Sequence, residues 1–307
     1  MIGFRGVPPE PYNPLMKSCR RLSLLCAALL LFCATAGAQT IPRDPLQVMT
    51  FNIRYGTAKD GDNQWSARRE MLFDLIRERD ADLIGLQEAL AFQIDEILAA
   101  APAYAALGVG RDDAARDGEY SAILFKKNRF RVAETGTFWF SDTPEVVASK
   151  SWGNNITRIC TWARLIDRDG FAFYHYNLHL DHQSQPSRER STQLLRQRID
   201  SRALRSNPVV VTGDFNVGEH NPALATLVSK APDAPFVDTY RVLHADETVV
   251  GTFSGFKFGN TGGDKIDYVL VQPGTEVITA EIIRTSRTDR YPSDHFPVVA
   301  TIRLAAK

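Results

Sequence analysis

Pro208-Val209-Val210-Val211-Thr212-Gly213-Asp214-Phe215-Asn216 is the stretch on which the fold reading turns. The apolar run has the composition of a buried strand. The glycine after it permits a tight turn, and the acid and amide leave the strand end on alternate positions, facing one site. Four other segments share this design or complement it. Phe51-Asn52-Ile53 follows Gln47-Val48-Met49-Thr50, and Leu86-Gln87-Glu88 ends the run that begins Ala81-Asp82-Leu83-Ile84-Gly85. Asn177-Leu178-His179-Leu180 closes residues 171–176, and Ser293-Asp294-His295-Phe296-Pro297 stands near the C-terminus. Strand ends converge in space, so residues far apart in sequence can share one cleft. A cleft of Glu, Asp, Asn and His suits a hard divalent cation and an anionic substrate.

Working outward, strand and helix patterns alternate in the first half. Residues 66–79 read as a helix with Ser66 as N-cap and Met71, Leu72, Leu75 and Ile76 as its apolar stripe. A short helix carries Phe92, Ile97 and Leu98, and residues 187–204 read as another, with Leu195, Ile199 and Ala203 four apart. Residues 120–125 and 131–140 read as strands joined at Lys126-Lys127-Asn128-Arg129, and residues 265–271 and 297–304 as late strands. In the strand ending at His179, alternation puts His175, Asn177 and His179 on one face. Periodicity yields a mixed α/β or α+β domain with extensive sheet, without internal repeat or low-complexity tract.

The N-terminus reads as a leader. Lys17-Ser18-Cys19-Arg20-Arg21 precedes an apolar stretch over residues 22–33 and then Ala36-Gly37-Ala38, the order of a basic region, a short apolar core and a cleavage site. The apolar core is shorter than the ~20 residues a membrane span needs. Cys33 follows Phe32, where a lipid anchor would want a small residue. Residues 1–38 are therefore expected to be a signal peptide, with Met16 as an alternative start, leaving residues 39–307 as a secreted or periplasmic catalytic domain. The whole chain balances 36 basic against 36 acidic residues; without residues 1–38 the balance is 32 to 35, a net charge of −3. That charge argues against strong duplex DNA binding, which rests on many Lys and Arg contacts to phosphate. Of four cysteines only Cys160 lies beyond the leader, so no intrachain disulfide is expected, and its apolar run marks a buried small hydrophobe rather than a nucleophile.

The five motifs, in this order, resemble those of the endonuclease/exonuclease/phosphatase superfamily over residues 45–304. The resemblance implies an α+β fold of deoxyribonuclease I type: a four-layer α/β/β/α sandwich of two packed mixed sheets with helices outside and the site at one end. It implies Mg²⁺, with Mn²⁺ as substitute, held by Asn52 and Glu88 with Asp294 approaching the metal or its waters. By the same resemblance His179 donates to the scissile phosphate, Asp214 orients or deprotonates water, and Asn216 bonds the phosphoryl oxygens. Asp267 pairs with His295, a carboxylate that sets the imidazole tautomer and raises its basicity. Asp214 and the Asp267–His295 pair both remain candidates for activating the water. One position departs from the abasic-site endonuclease branch: Arg54 stands where that branch has a carboxylate, which speaks against a second metal there.

Gly118-Glu119-Tyr120-Ser121 and the segment Asn154-Asn155-Ile156-Thr157-Arg158 resemble the deadenylase-like branch and secreted bacterial relatives. Arg158 either clamps a non-scissile phosphate with its guanidinium fork or forms a surface ion pair. Residues 251–258, with Phe253, Phe256 and Phe258, read first as a core-facing strand and second as a stacking surface. The expected activity is a monomeric phosphoesterase using in-line water attack, with single-stranded or small nucleotide substrates first and sugar or inositol phosphates second. A sphingomyelinase-like lipid hydrolase would need an exposed apolar hairpin, for which Phe138-Trp139-Phe140 is the one candidate. A catalytically inactive binding protein on the same scaffold is the remote alternative, since every catalytic position of the motif set is filled.

Overall fold

The computed structural model describes residues 43–228 and 234–305, with five isolated residues nearer the N-terminus. The basic and apolar regions of the expected leader, and its three cysteines, lie outside the described residues. Two six-stranded sheets form the centre of the compact unit that begins at Asp44. The first has the order β11 (Glu276–Ile282), β12 (Val298–Arg303), β1 (Leu46–Asn52), β2 (Leu83–Gln87), β4 (Ile123–Lys126), β3 (Tyr104–Leu107). The second runs β5 (Phe130–Trp139), β6 (Ile159–Asp167), β7 (Ala172–His179), β8 (Val209–Asp214), β10 (Asp267–Val271), β9 (Val237–Asp238). Each is mixed: β1 pairs β2 and β7 pairs β8 in parallel, and the remaining pairs are antiparallel.

The period of two in each strand decides the layering. Val48, Leu83, Phe173, Val210, Val269 and Val298 pack together between the sheets. Their neighbours on the opposite face of the first sheet, Met49, Phe51, Ile84 and Leu86, pack under the helices α1 (Trp65–Arg79) and α2 (Ala91–Ala100). On the second sheet Tyr174, Tyr176, Val209 and Val211 pack with Leu195 and Ile199 of α3 (Gln185–Asp200). The result is the four-layer sandwich that the resemblance implied.

Four local expectations are corrected. Ser66 lies inside α1, whose cap position is Gln64. The second long helix begins at Gln185, because the Ser184 hydroxyl accepts from the Ser187 amide and Pro186 falls in the first turn, where its missing N–H costs nothing. Residues 251–258 are not a core strand: Gly255 and Phe256 have positive φ, and Phe253 and Phe258 are exposed. The apolar hairpin is interior instead, with Phe138, Trp139 and Phe140 buried, which removes the support for a lipid hydrolase. Cys160 is fully buried, as its surroundings implied, and burial pushes its thiol well above the usual range.

Candidate active site

The site is the polar end of the layer between the sheets. Along β8 the inward positions read Val210, Thr212, Asp214; along β7 they read Phe173, His175, Asn177, His179; along β1, Val48, Thr50, Asn52. Apolar packing gives way to buried hydrogen-bonding groups and then to charge. Asn177 is the hub of the middle zone. Its Oδ1 accepts from Gln87 Nε2 at 2.7 Å and Thr212 Oγ1 at 2.9 Å, and its Nδ2 donates to Leu86 O at 2.8 Å and Ala122 O at 2.9 Å. Gly85 is required by this crossing, since a Cβ there would lie 2.2 Å from Thr212 Oγ1 and 2.4 Å from Asn177 Oδ1. The Gly213 of the first motif has a related role. It lies within β8, not in a turn, and a Cβ there would come 2.6 Å from Leu178 O.

Strand register places the reacting groups. His179 on β7 stands opposite Asp214 on β8, and Asp214 opposite Asp267 on β10, so three motifs form one row across adjacent strands. Asp214 is the centre of the site. Its Oδ2 accepts from Asn52 Nδ2 at 2.9 Å and lies 3.5 Å from His179 Nε2 and 3.7 Å from His295 Nε2. His295 Nδ1 is 3.0 Å from Asp267 Oδ2. Asn216 donates through Nδ2 to His179 Nε2 and to Leu180 O, both at 3.0 Å, and its amide donates to Asp214 Oδ1 at 2.9 Å.

The metal corner lies against this row. Asn52 Nδ2 donates to Glu88 Oε1 at 3.0 Å, and the Tyr55 amide donates to Glu88 Oε2 at 3.2 Å. Arg54 reaches between the acids, 3.9 Å from Glu88 and 3.8 Å from Asp294, while its fork is held by Asp60 through two bonds of 3.0 Å. Arg54, Glu88 and Asn216 all have positive φ, a conformation that costs free energy in non-glycine residues and that surrounding contacts must hold.

Burial separates the two histidines. For His179, burial and then the positive charges of Arg158 and Arg111 push the pKa well below the ordinary value, so it is neutral. For His295, burial opposes charge, but Asp267 and Asp214 outweigh it and the pKa lies well above the ordinary value. Asp214 is raised by burial and by the neighbouring Asp267 carboxylate. Asp294 is raised by burial, against the favourable charge of His295.

All nine residues singled out from sequence come to this end of the sandwich, Arg158 behind the others. It is buried, so it is not a surface ion pair: Nη2 is 2.9 Å from His182 Nδ1 and Nε is 3.6 Å from Asp181 Oδ2. It lines a narrow pocket with His179 and Arg111, whose fork is held by Glu119 through bonds of 2.7 and 2.8 Å. The sequence reading missed Arg111 and the Arg54–Asp60 pair, and put Phe253 in a core strand first and on a stacking surface second. Phe253 lies edge-on to His295, ring centroids 5.0 Å apart. Only its place in a Gly-flanked aromatic cluster marked it.

The donor set fits a hard divalent cation. Glu88, Asp214, Asp267 and Asp294 crowd a site where the positive groups within 4.0 Å of them are His295 and an Arg54 shared with Asp60, and Asp267 Oδ1 is buried without a partner. Clustered buried carboxylates are costly unless a cation compensates them. Glu88 and Asp294 offer carboxylate oxygens and Asn52 an amide oxygen that here accepts from the Arg54 amide at 3.0 Å, and oxygen ligands are the preference of Mg²⁺ and Mn²⁺. Ligand atoms of Asp214, Asp267 and His295 also lie within 4.8 Å of one another. There, however, Asp267 and His295 are already bonded to each other.

A family model described as the endonuclease/exonuclease/phosphatase family matches residues 49–295. A crystal structure of a protein of that family from Bacteroides thetaiotaomicron is 32% identical, with a TM-score of 0.77 over 85% of this chain and 98% of the other. A mannosyl-6-phosphatase from the same organism is also 32% identical, with a TM-score of 0.75 over 84% and 99%. The human Nocturnin catalytic domain, solved with bound sulfate, shares the fold at 19% identity, with a TM-score of 0.67 over 86% and 99%.

Proposed function

The chain belongs to the endonuclease/exonuclease/phosphatase family, and from that premise we propose that it is a secreted, divalent-metal-dependent phosphatase of sugar phosphate monoesters. The observation that carries the substrate class is the 32% identity to a mannosyl-6-phosphatase along nearly the whole domain. It reverses the order expected from sequence, which put nucleotides first. Two features of this chain support the change. The net charge of −3 beyond residue 38 suits a small anion better than a polyanion. Beside His295 an open cavity of about 440 Å³ is lined by Phe253, Asn260 and Asp264, an aromatic face with polar groups of the kind that orient a hydroxylated ring.

Bound at Asn52, Glu88 and Asp294, a Mg²⁺ or Mn²⁺ ion supplies Lewis-acid polarisation of the phosphoryl group. The chain's own groups do the rest. A bound phosphoryl group would part the bond between Asn216 Nδ2 and neutral His179 Nε2 and take both as partners for its oxygens, where charge grows in the transition state. Arg158 and Arg111 reinforce that pole from behind His179. Asp214, with its raised pKa, is the group suited to take the proton of the attacking water. His295 keeps its proton between Asp267 and Asp214, so it acts as a fixed positive charge beside the base rather than as the base itself.

The test is a panel of mannose 6-phosphate, other hexose phosphates, inositol phosphates, mononucleotides, single-stranded DNA and sphingomyelin, with Mg²⁺, Mn²⁺ or chelator. Hexose 6-phosphates should exceed every nucleic acid by at least ~10-fold in kcat/KM, the discrimination that about 1.4 kcal/mol supplies. Faster turnover of oligonucleotides would restore the nuclease reading.

A further inference from the structure

Arg68 lies outside all five motifs, yet it is 2% exposed and among the largest fully buried side chains. It interrupts the inner stripe of α1, between Trp65 and Leu72, where an apolar residue would fit the helix period. A buried guanidinium is costly unless its donors are satisfied. Here they are satisfied by main-chain carbonyls. Nε donates to Asn63 O at 3.0 Å, Nη1 to Ile53 O at 2.7 Å and Pro292 O at 2.9 Å, and Nη2 to Arg54 O at 2.9 Å. The rings of Trp65 and Phe256 flank it, 5.1 and 5.6 Å from its central carbon.

The carbonyls it gathers are informative. Ile53 and Arg54 directly follow Asn52, and Pro292 precedes Asp294 by two residues. Ser293 Oγ donates to Asn52 O at 2.7 Å, so the carbonyls of residues 52, 53 and 54 are each held by Ser293 or Arg68. One nitrogen, Arg68 Nη1, bonds both loops at once, and its partner Pro292 lies 224 residues from it in sequence. Arg54, the residue held last, has a φ of 55° and needs such a grip to keep it.

We propose that Arg68 is a positioning residue of the metal centre, a planar fork that sets the spacing of Asn52 and Asp294 by holding the backbone on both sides. The proposal rests on the metal-dependent reading above. A lysine could keep the charge but not the geometry, because one ammonium cannot replace a fork that bonds four carbonyls in three directions. A methionine of similar length would fill the space without donors.

The experiment is calorimetric titration of Mn²⁺ into the substrate-free protein, with thermal unfolding followed in parallel. The variants are Arg68→Lys, Arg68→Gln and Arg68→Met, with Leu72→Ala as a core control on the same helix. The Arg68 variants should bind Mn²⁺ at least ~10-fold more weakly, whereas Leu72→Ala should lose stability but bind within about twofold of the wild type. Affinity unchanged in a folded Arg68 variant would overturn the proposal. So would an equal loss in Leu72→Ala, or failure of all three Arg68 variants to fold, since each makes Arg68 a part of the fold alone. A wild type that binds no Mn²⁺ would instead defeat the metal-dependent reading itself.

Discussion

Replacing Asp267 by Asn keeps the shape of the His295 partner and removes its charge. The carboxylate lies 3.0 Å from His295 Nδ1 and directly across the strand pair from Asp214. Losing the ionic part of that hydrogen bond should cost about 1.5–3 kcal/mol, or roughly 10–150-fold in kcat/KM. The pH profile gives a sharper signature. If activity needs ionised Asp214 and protonated His295, the rising limb follows Asp214 and the falling limb follows His295. Asp267 raises both pKa values, after burial in the case of Asp214 and against burial in the case of His295. Without its charge both limbs should move to lower pH, so the whole bell shifts towards acid. Stability should fall at pH values where His295 is protonated, because the buried imidazolium loses its nearest carboxylate, and removing a like-charge neighbour of Asp214 offsets only part of that loss. The assay is kcat/KM between pH 4 and 10 at saturating metal, with thermal unfolding at each pH. A bell that stays in place or moves towards alkali would refute the assignment of the two limbs.

Glu88→Ala should leave a folded protein with activity down by at least ~10², and excess chelator should do the same to the wild type; full activity in either case would remove the metal from the mechanism. Phe253→Ala should raise KM for a hexose phosphate several-fold while phosphate release from a minimal aryl ester stays within about twofold; equal losses on both would make Phe253 a support for His295 alone. His175, bonded through Nε2 to Thr212 Oγ1 at 2.8 Å, has its pKa pushed down to about 3 by burial. Its unfolded form binds a proton below about pH 6.5 while the native form does not, so stability is whole above that pH and falls towards pH 3. The loss should reach ~2 kcal/mol by pH 5 in urea unfolding, and a folded His175→Gln that declines as steeply would show that other groups set the acid limb.

Arg68 shows where sequence reading stops. The helix period places position 68 on the inner face, but nothing along the chain says what its guanidinium would bond, and only the approach of the loops at Ile53 and Pro292 gives it a role. For Arg54 too, the surroundings come from the fold: a neighbouring Asp60 and two acids from distant loops. The half-buried edge strands β3 and β11 left no clear alternation to read. The aromatic cluster at residues 251–258 misled because its composition suits a strand, while Gly255 and Phe256 turn the chain through positive φ.

What the sequence determined by itself is the row of strand ends and their chemistry. A period of two, carried from Val210 to Asp214 and from Phe173 to His179, puts the acid and the imidazole on the face that the valine and phenylalanine bury. That parity is local, so it can be read from a few residues. Tertiary structure alone decided the charge states, the grip of Arg68 on two loops and the exposure of Phe253 beside His295. Each depends on distances between segments that no pattern along the chain encodes, and electrostatic and hydrogen-bond energies are set by those distances and by burial.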